Sequence, residues 1–500
     1  MLRTLLAAAV LATSQAGATP APIPSPTPVP APDAPVYAGN PATHYRLESR
    51  PLGIDPDGTA RWLVVAHFFD AQNVETRILA NSDLSWESDR GHVQWQNRMR
   101  YGSPAAMVTT TLAGPIVLRV RANKPAFGVQ RIVTDTRRWK AQPLVARALG
   151  PHMVQVGIFP RTARATALWR VAPGGARRLL ASLPAGSSTY RDTAAAPDRT
   201  YRYALTGGAH AVYAAARTPA ELPATSVSLA SGKGMWLYWS LNPLDDNYYG
   251  KLDPDAMVAQ AAKSGLHYVE IRTAYGAMWQ IPPAARPKID AIIDGLAAHG
   301  IVPMGWTVPR EATFEDVSAT VRTAQYRTAK GTPLLGVAVD FERGDDFMGG
   351  DPNGLAALWM YEQYLREAVG PKYLIVATVE DPSFEHLDES KYPFREIARY
   401  ADVLQPMAYW RMMRRTPTTA ALVKTLMVKS VTTLLALSGR TLPVSIGGQT
   451  TAEGRNGYPP ADEIVASLDG ARAAGAIGVC YFDWKGTQPY QWDALANYTW

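Results

Sequence analysis

Leu335-Gly336-Val337-Ala338-Val339-Asp340-Phe341-Glu342 is a short run of small and β-branched residues, opened by a glycine and closed by two carboxylates. An apolar run of this length reads as a strand buried on both faces, as in a parallel sheet. Residues two apart on a strand share a face, so Asp340 and Glu342 project the same way at its carboxyl end. Working outward, similar runs occupy 235–239, 267–273, 301–307, 373–379, 403–408, 442–446 and 477–482. Amphipathic stretches lie between them, such as Ile289, Ile292, Ile293 and Leu296 at the spacing of one helix face. Gly265, Gly300 and Gly475 fall where a left-handed residue would end a helix before the next strand. Eight strand–helix units over residues 231–500 predict a (β/α)₈ TIM barrel, with its active site at the carboxyl ends of the strands.

The chain ahead of the barrel has a different texture. Residues 1–18 carry a basic start, a short apolar stretch and Ala16-Gly17-Ala18, the pattern of a secretory signal peptide. Residues 19–39 form a Pro-rich linker. Short alternating runs divided by turn-rich pieces predict a β-sandwich over 40–140 and a second over 141–217, with Trp169 in the second core. The expected architecture is thus multidomain: two β-sandwich modules, then the TIM barrel, in a secreted or extracellular protein, either released or associated with the cell surface.

The net charge of +7 is unevenly placed. Residues 36–217 hold 24 Lys+Arg against 11 Asp+Glu, and 218–500 hold 25 against 31. A basic extracellular module suits an anionic cell-wall polymer, or is simply a solvated arginine-rich surface. The single cysteine, Cys480, excludes an intramolecular disulfide and a cysteine metal cluster. No zinc-finger or RNA-binding motif occurs, so nucleic acid is not an expected partner. No HExxH, GxSxG or GxxxxGK[ST] motif occurs either, and neither a cofactor nor a metal is expected. The acidic loop 344–353 reads as solvated rather than as a calcium site. The most apolar later stretch, 420–437, is interrupted by Lys424 and Lys429, so a barrel helix is expected and not a transmembrane span.

The strand ends present Trp236, Tyr238 and Trp239; Glu270, Arg272 and Tyr275; Trp306 and Glu311; Asp340 and Glu342; Glu380 and Asp381; Gln405, Met407, Tyr409 and Trp410; Gln449; and Tyr481, Asp483 and Trp484. Aromatic rings offer flat faces for sugars, and glycosidic cleavage needs a positioned acid and a second carboxylate or its equivalent. Adjacent carboxylates in a dry site push one pKa upward and keep a proton available near neutrality. The same pair could instead be structural, closing the barrel or pairing with Arg272 or Arg343.

These residues resemble the chitinase-type barrels of glycoside hydrolase family 18, whose fourth strand ends in DGxDxDxE, whose sixth carries MxYD and whose eighth places a tryptophan beneath the sugar. Asp340 and Glu342 match the first motif, Met407 and Tyr409 the second, and Trp484 the third. The resemblance implies Glu342 as general acid, Asp340 orienting a 2-acetamido group and Tyr409 bonding to it. The strand-end residues Trp236, Trp239, Glu270, Arg272, Trp306, Gln405, Met407, Trp410, Asp483 and Trp484 are the candidate substrate-binding floor, and of these the resemblance itself carries over Met407 and Trp484. Leu335 and Ala338 depart from the motif where it has aspartates, as does Trp410 after Tyr409. A short DxE on the fourth strand is also similar to lysozyme-like family 25 barrels. Residues 70–73 and 188–203 resemble strand ends of immunoglobulin-like and fibronectin type III modules respectively. The implied function is hydrolysis of a cell-wall or extracellular polysaccharide, with N-acetylhexosamine one candidate sugar. Two other readings stand beside it: a non-catalytic glycan-binding surface protein on a degenerate barrel, and a wall anchor acting through its β modules.

Overall fold

The computed structural model describes residues 42–500 except 55–57, 74, 77–83, 101–102, 123–128, 136–143, 173, 208–210, 277, 311–313, 343–354, 386, 389–391, 413–417 and 453–456. The signal-peptide and linker assignments, Glu311, Arg343 and the acidic loop up to residue 353 lie outside the described residues. The chain divides into two compact units, Gly17–Glu221 and a unit whose described part is Leu222–Trp500.

The first unit is built from antiparallel sheets. Strands His44–Ile54, Ala60–Phe69, Ser103–Thr110 and His92–Arg100 pair in that order, and Leu84–Ser88, Pro115–Ala122 and Val129–Asp135 form a second sheet. Tyr45, Trp62, Val64, Trp86, Leu118 and Val120 fill one core between them. Farther along, Thr189–Asp192, Met153–Ile158 and Leu144–Gly150 form one sheet and Arg177–Leu183, Thr166–Val171, Thr200–Thr206 and Val212–Arg217 another. Leu144, Val154, Val156, Leu168 and Tyr203 fill the second core. Phe159 packs into the first core, which helps explain why the two sheet pairs belong to one unit rather than two. Trp169 corrects the sequence reading: it is only half buried and donates to Thr206 Oγ1 at 2.8 Å, while its neighbour Leu168 takes the core position. A bulge between Leu168 and Trp169 accompanies this phase.

The second unit is the barrel. Its parallel strands are β1 (Gly232–Leu237), β2 (Tyr268–Tyr275), β3 (Val302–Val308), β4 (Val337–Phe341), β5 (Ile375–Val379), β6 (Val403–Pro406), β7 (Ser445–Gln449) and β8 (Gly478–Phe482). The pairing order is β6-β5-β4-β3-β2-β1-β8-β7. The remaining gap is closed by bridges Leu404–Val444 and Met407–Gly447, with Ala408 N donating to Gly447 O at 2.8 Å. The unit starts before residue 231: Thr225 N donates to Lys372 O at 2.8 Å, and Thr225 Oγ1 accepts from Leu374 N at 2.6 Å, tying this approach segment to the start of β5.

Helices follow the strands in turn: α1 (Pro254–Lys263), α2 (Arg286–Ala298), α3 (Phe314–Ala324), α4 (Leu355–Val369), α5 (Phe394–Tyr400), α6 (Ala420–Ser438), α7 (Ala461–Ala473) and α8 (Pro489–Asn497). Asp253 caps α1 by accepting from Ala256 N, with Pro254 in the first turn, where its missing N–H costs nothing. In α2, Ile289, Ile292, Ile293 and Leu296 are all buried, as their spacing predicts. Gly265, Gly300 and Gly475 have φ of 59°, 71° and 75°, the left-handed turns expected between helix and strand. Among the described residues, α6 alone is long and apolar enough to cross a membrane by length and composition. It buries Val423, Leu426, Met427, Val431 and Leu434 and takes its place in the barrel's helical ring.

Candidate active site

Alternation along each strand decides what the barrel interior contains. Lower in the barrel, Tyr268 on β2 donates to or accepts from Ser445 on β7 at 2.7 Å. A Cβ at Gly234 would lie 2.3 Å from the Tyr268 ring, and one at Gly447 would lie 2.9 Å from Trp236. These two glycines make room for large rings inside a narrow barrel. Trp236 is buried in the interior core with Met304, Trp306, Ala338, Val376, Met407 and Cys480. Trp236 and Met407 therefore help build the floor beneath the mouth rather than its open surface.

Above the floor stands a collar of aromatic rings. Tyr238 stacks on Phe482 with centroids 6.0 Å apart, and Trp306 meets Tyr238 and Phe482 edge-on at 6.3 and 6.4 Å. Tyr409 lies 5.9 Å from Phe482. Tyr238 and Phe482 are half buried, as are Arg272, Tyr275, Arg310 and Glu342, so these side chains reach the opening.

Carboxylates converge on the same place. Asp340 on β4 is buried, and its Oδ2 accepts from Trp306 Nε1 at 3.3 Å, while Oδ1 has no hydrogen-bond partner among the described residues. Burial, with Glu342 and Glu380 adding like charge, holds Asp340 well above the usual carboxylate range. Glu342, one residue past the strand, is pushed up to about 7 by burial and by Glu380, against the opposing pull of Arg310 and Arg272. One layer down, Glu270 on β2 is fully buried; its Oε1 accepts from Gln405 Nε2 at 2.9 Å and its Oε2 is unpartnered among the described residues. Burial pushes Glu270 up to about 7 as well, despite the nearby donors Gln405, Trp236 and Cys480. Gln405 is itself oriented by Thr378 Oγ1, which donates to its carbonyl at 2.6 Å. Asp483 is buried and raised by desolvation, and its Oδ1 accepts from Gly486 N at 2.6 Å.

Arg272 completes the group. Its guanidinium lies 4.6 Å from the Tyr238 ring centroid, 5.5 Å from Trp306 and 5.6 Å from Tyr275. Arg310 lies 4.8 Å from the Tyr275 centroid. Burial lowers the Arg272 pKa, and the nearby tyrosines, Glu342 and Asp483 oppose that effect.

Several residues expected at the site stand elsewhere. Trp410 is fully buried and donates to Glu463 Oε2 on α7 at 2.8 Å, where Arg411 Nε also donates at 2.7 Å. Its ring therefore ties the strand end to the helical ring and is not offered to a ligand. Trp239 is likewise fully buried and donates to Gln280 O at 2.8 Å. Trp484 packs on Trp492 of α8 with centroids 5.0 Å apart, away from the collar. The ring that β8 supplies to the collar is Phe482, in phase with Cys480, whereas Tyr481 points outward and bonds Ser467 on α7. Trp484 has the same parity as Phe482 and Cys480 but lies beyond the end of β8, so strand alternation does not separate the two rings. Asp381 accepts from Ser383 N at 2.8 Å and also from Ser430, a structural role behind the strand end. Arg310, in the loop after β3, carries no sequence motif. Among the described residues, no group of three or more His, Cys, Asp or Glu side chains is placed to hold a metal ion.

No protein-family model matches this sequence, and no curated protein matches it. Solved structures similar to it include the spore cortex-lytic enzyme SleL of Bacillus cereus, at 12% identity and TM-score 0.38 over 59% of this chain and 78% of that one. A chitinase from Chromobacterium violaceum is similar at 14% identity and TM-score 0.38, over 53% of this chain and 98% of that one. A family 5 glycoside hydrolase from Prevotella bryantii is similar at 13% identity and TM-score 0.38, over 55% and 98%.

Proposed function

We propose that this chain is a secreted glycoside hydrolase that cleaves a cell-wall or extracellular polysaccharide. The observation that carries the reading is Glu342: a half-buried carboxyl at the end of β4, raised to about 7, beside the buried Asp340 and next to an aromatic collar. A carboxyl with that pKa keeps a substantial protonated fraction at neutral pH and can protonate a glycosidic oxygen as the bond breaks. The neighbouring carboxyls Glu380 and Asp483, where ionised, supply negative potential where positive charge develops on the sugar ring. The half-buried Tyr238 and Phe482 give the sugar rings aromatic surface to stack on, with the buried Trp306 packed edge-on against both. Tyr409, whose ring lies 5.9 Å from that of Phe482, is the candidate for bonding a sugar substituent. Asp340, raised well above the usual carboxylate range by burial and with one oxygen unpartnered among the described residues, acts as an orienting group beneath the reacting sugar. Ala338 removes the carboxyl that the family 18 motif has one step lower on β4, and Glu270 is a buried carboxyl at that depth from another strand.

The antiparallel sheets of the first unit, read as immunoglobulin-like and fibronectin type III-like modules, would hold the enzyme to its polymer. Supporting this, residues 36–217 carry 24 Lys+Arg against 11 Asp+Glu, a basic balance that suits an anionic polymer.

The test is release of reducing ends from peptidoglycan, chitin, exopolysaccharide and β-glucan by the mature chain and by Glu342→Gln. Loss of roughly 10² or more in rate on the cleaved glycan supports the assignment of Glu342 as general acid. Equal binding of one glycan by both proteins with no cleavage by either would replace the hydrolase reading with a lectin-like one.

A further inference from the structure

Arg272 is an unusual residue to find in a sugar site. Its guanidinium carries five N–H donors, yet among the described residues its one hydrogen-bond acceptor is the Trp239 carbonyl, at a long 3.4 Å. Nε is enclosed without a partner among the described residues. Tyr238, Trp306 and Tyr275 surround the group at 4.6–5.6 Å. No carboxylate of the described residues comes within ion-pair distance of it, although Glu342 and Asp483 lie near enough to be felt electrostatically. The cation has thus given up water for aromatic faces, and its hydrogen-bonding fork is largely unused. A planar fork of this kind fits a carboxylate with two parallel bonds, and the rings on its flanks hold it in one orientation.

The charges around it argue the same way. Among the described residues, the carboxyl groups near the collar from β4, β5 and β8 are Asp340, Glu342, Glu380 and Asp483, with Lys485 acting on Asp483. Ionised carboxyls there would repel an anionic substituent. On the β2–β3 side, Arg272 and Arg310 share the ring of Tyr275 at 5.6 and 4.8 Å and offer positive potential instead. A neutral glycan needs no such arginine, since amides and hydroxyls serve its hydroxyl groups without a buried charge.

We propose that the substrate is an acidic glycan, one whose sugar carries a carboxylate, and that Arg272 receives that carboxylate. The proposal rests on the hydrolase reading for its activity test but not for its binding test. Two sources present this chemistry, a lactyl ether acid on an amino sugar and a hexuronic acid. The probes are therefore peptide-free peptidoglycan glycan strands, a hexuronic acid oligosaccharide and neutral chitin oligosaccharides. Each acidic probe is paired with its own carboxyl-reduced form, in which the acid has become a primary alcohol.

The expected result is a kcat/KM roughly 30-fold or more higher for one acidic probe than for its reduced form. Arg272→Met collapses that ratio toward one, and Arg272→Lys keeps part of it. The ratio is internal to each protein, so a general loss of activity does not mimic the effect. If the reduced or neutral probes are cleaved as well as the acidic ones, the proposal is overturned while the hydrolase reading stands. If nothing is cleaved, the hydrolase reading fails, and the same acidic-to-reduced ratio read as affinity, with Glu342→Gln in the pair, decides the role of Arg272 alone. Equal affinity for the two forms overturns it.

Discussion

Replacing Arg310 with methionine moves the alkaline limb of the pH–activity profile upward. Glu342 must be protonated to donate, so activity is flat below its pKa and falls about tenfold per pH unit above it. With that pKa at about 7, roughly 9% of the acid is protonated at pH 8. After burial, Arg310 is the largest influence on Glu342, and it favours the charged form. A unit cation within the usual range of such an effect, at an effective dielectric near 20, contributes on the order of 2 kcal/mol, and solvent in the half-open mouth reduces this to about one pKa unit. Methionine removes the charge and keeps the stem against Tyr275. The limb then moves to about pH 8, where half the acid is protonated, and relative activity at that pH rises about fivefold. The assay is kcat/KM on a soluble oligosaccharide from pH 5 to 9. A limb that stays in place refutes the assignment, because Glu270 is also raised to about 7 and Arg310 is not among the groups acting on it. A limb that moves down refutes the electrostatics.

Glu270 makes a prediction about stability. Its folded pKa, about 7, lies above the ordinary value of 4.5, so below about pH 4.5 it is protonated in both states and costs nothing. As pH rises to about 7 the unfolded chain ionises first, and the folded state loses roughly 3 kcal/mol relative to Glu270→Gln, with no further change above. Unfolding midpoints of the two proteins that track each other across this window would sink the argument. In the first unit, Asp192 accepts from Arg170 Nε at 2.9 Å and from Tyr203 Oη at 2.9 Å, and is 2% exposed. Asp192→Ala leaves a guanidinium and a hydroxyl without their acceptor and costs about 3–5 kcal/mol in denaturant unfolding of the full chain; less than 1 kcal/mol would contradict the ledger.

Much of the barrel was legible because each strand and helix satisfies a local rule. Val337, Ala338 and Val339 are apolar on both faces because a parallel strand inside a helical ring meets no water. Gly265, Gly300 and Gly475 mark turns whose backbone only glycine enters easily. Asp340 and Glu342 were legible as a same-face pair from spacing alone. Less legible was which aromatic residues face the opening. Trp236, Trp239 and Trp410 are all large rings near strand ends, yet all three are buried, two of them by a hydrogen bond to a partner distant in sequence. An indole N–H satisfied by Glu463, 53 residues away, leaves no trace in the local pattern.

The sequence by itself determined the eight strand–helix units, the turn glycines, the two carboxyls on β4 and the change of texture before the barrel. Each depends on periodicity and backbone preference over a few residues. The tertiary structure alone decided that Phe482 rather than Trp484 joins the collar, that Gln405 holds Glu270, and that Arg272 stands among aromatic rings with no ion pair among the described residues. Those facts follow from which strands become neighbours when the sheet closes, and from how deeply each charge is then removed from water. Burial and proximity are properties of the assembled barrel, and they set the pKa values and free valences on which its chemistry depends.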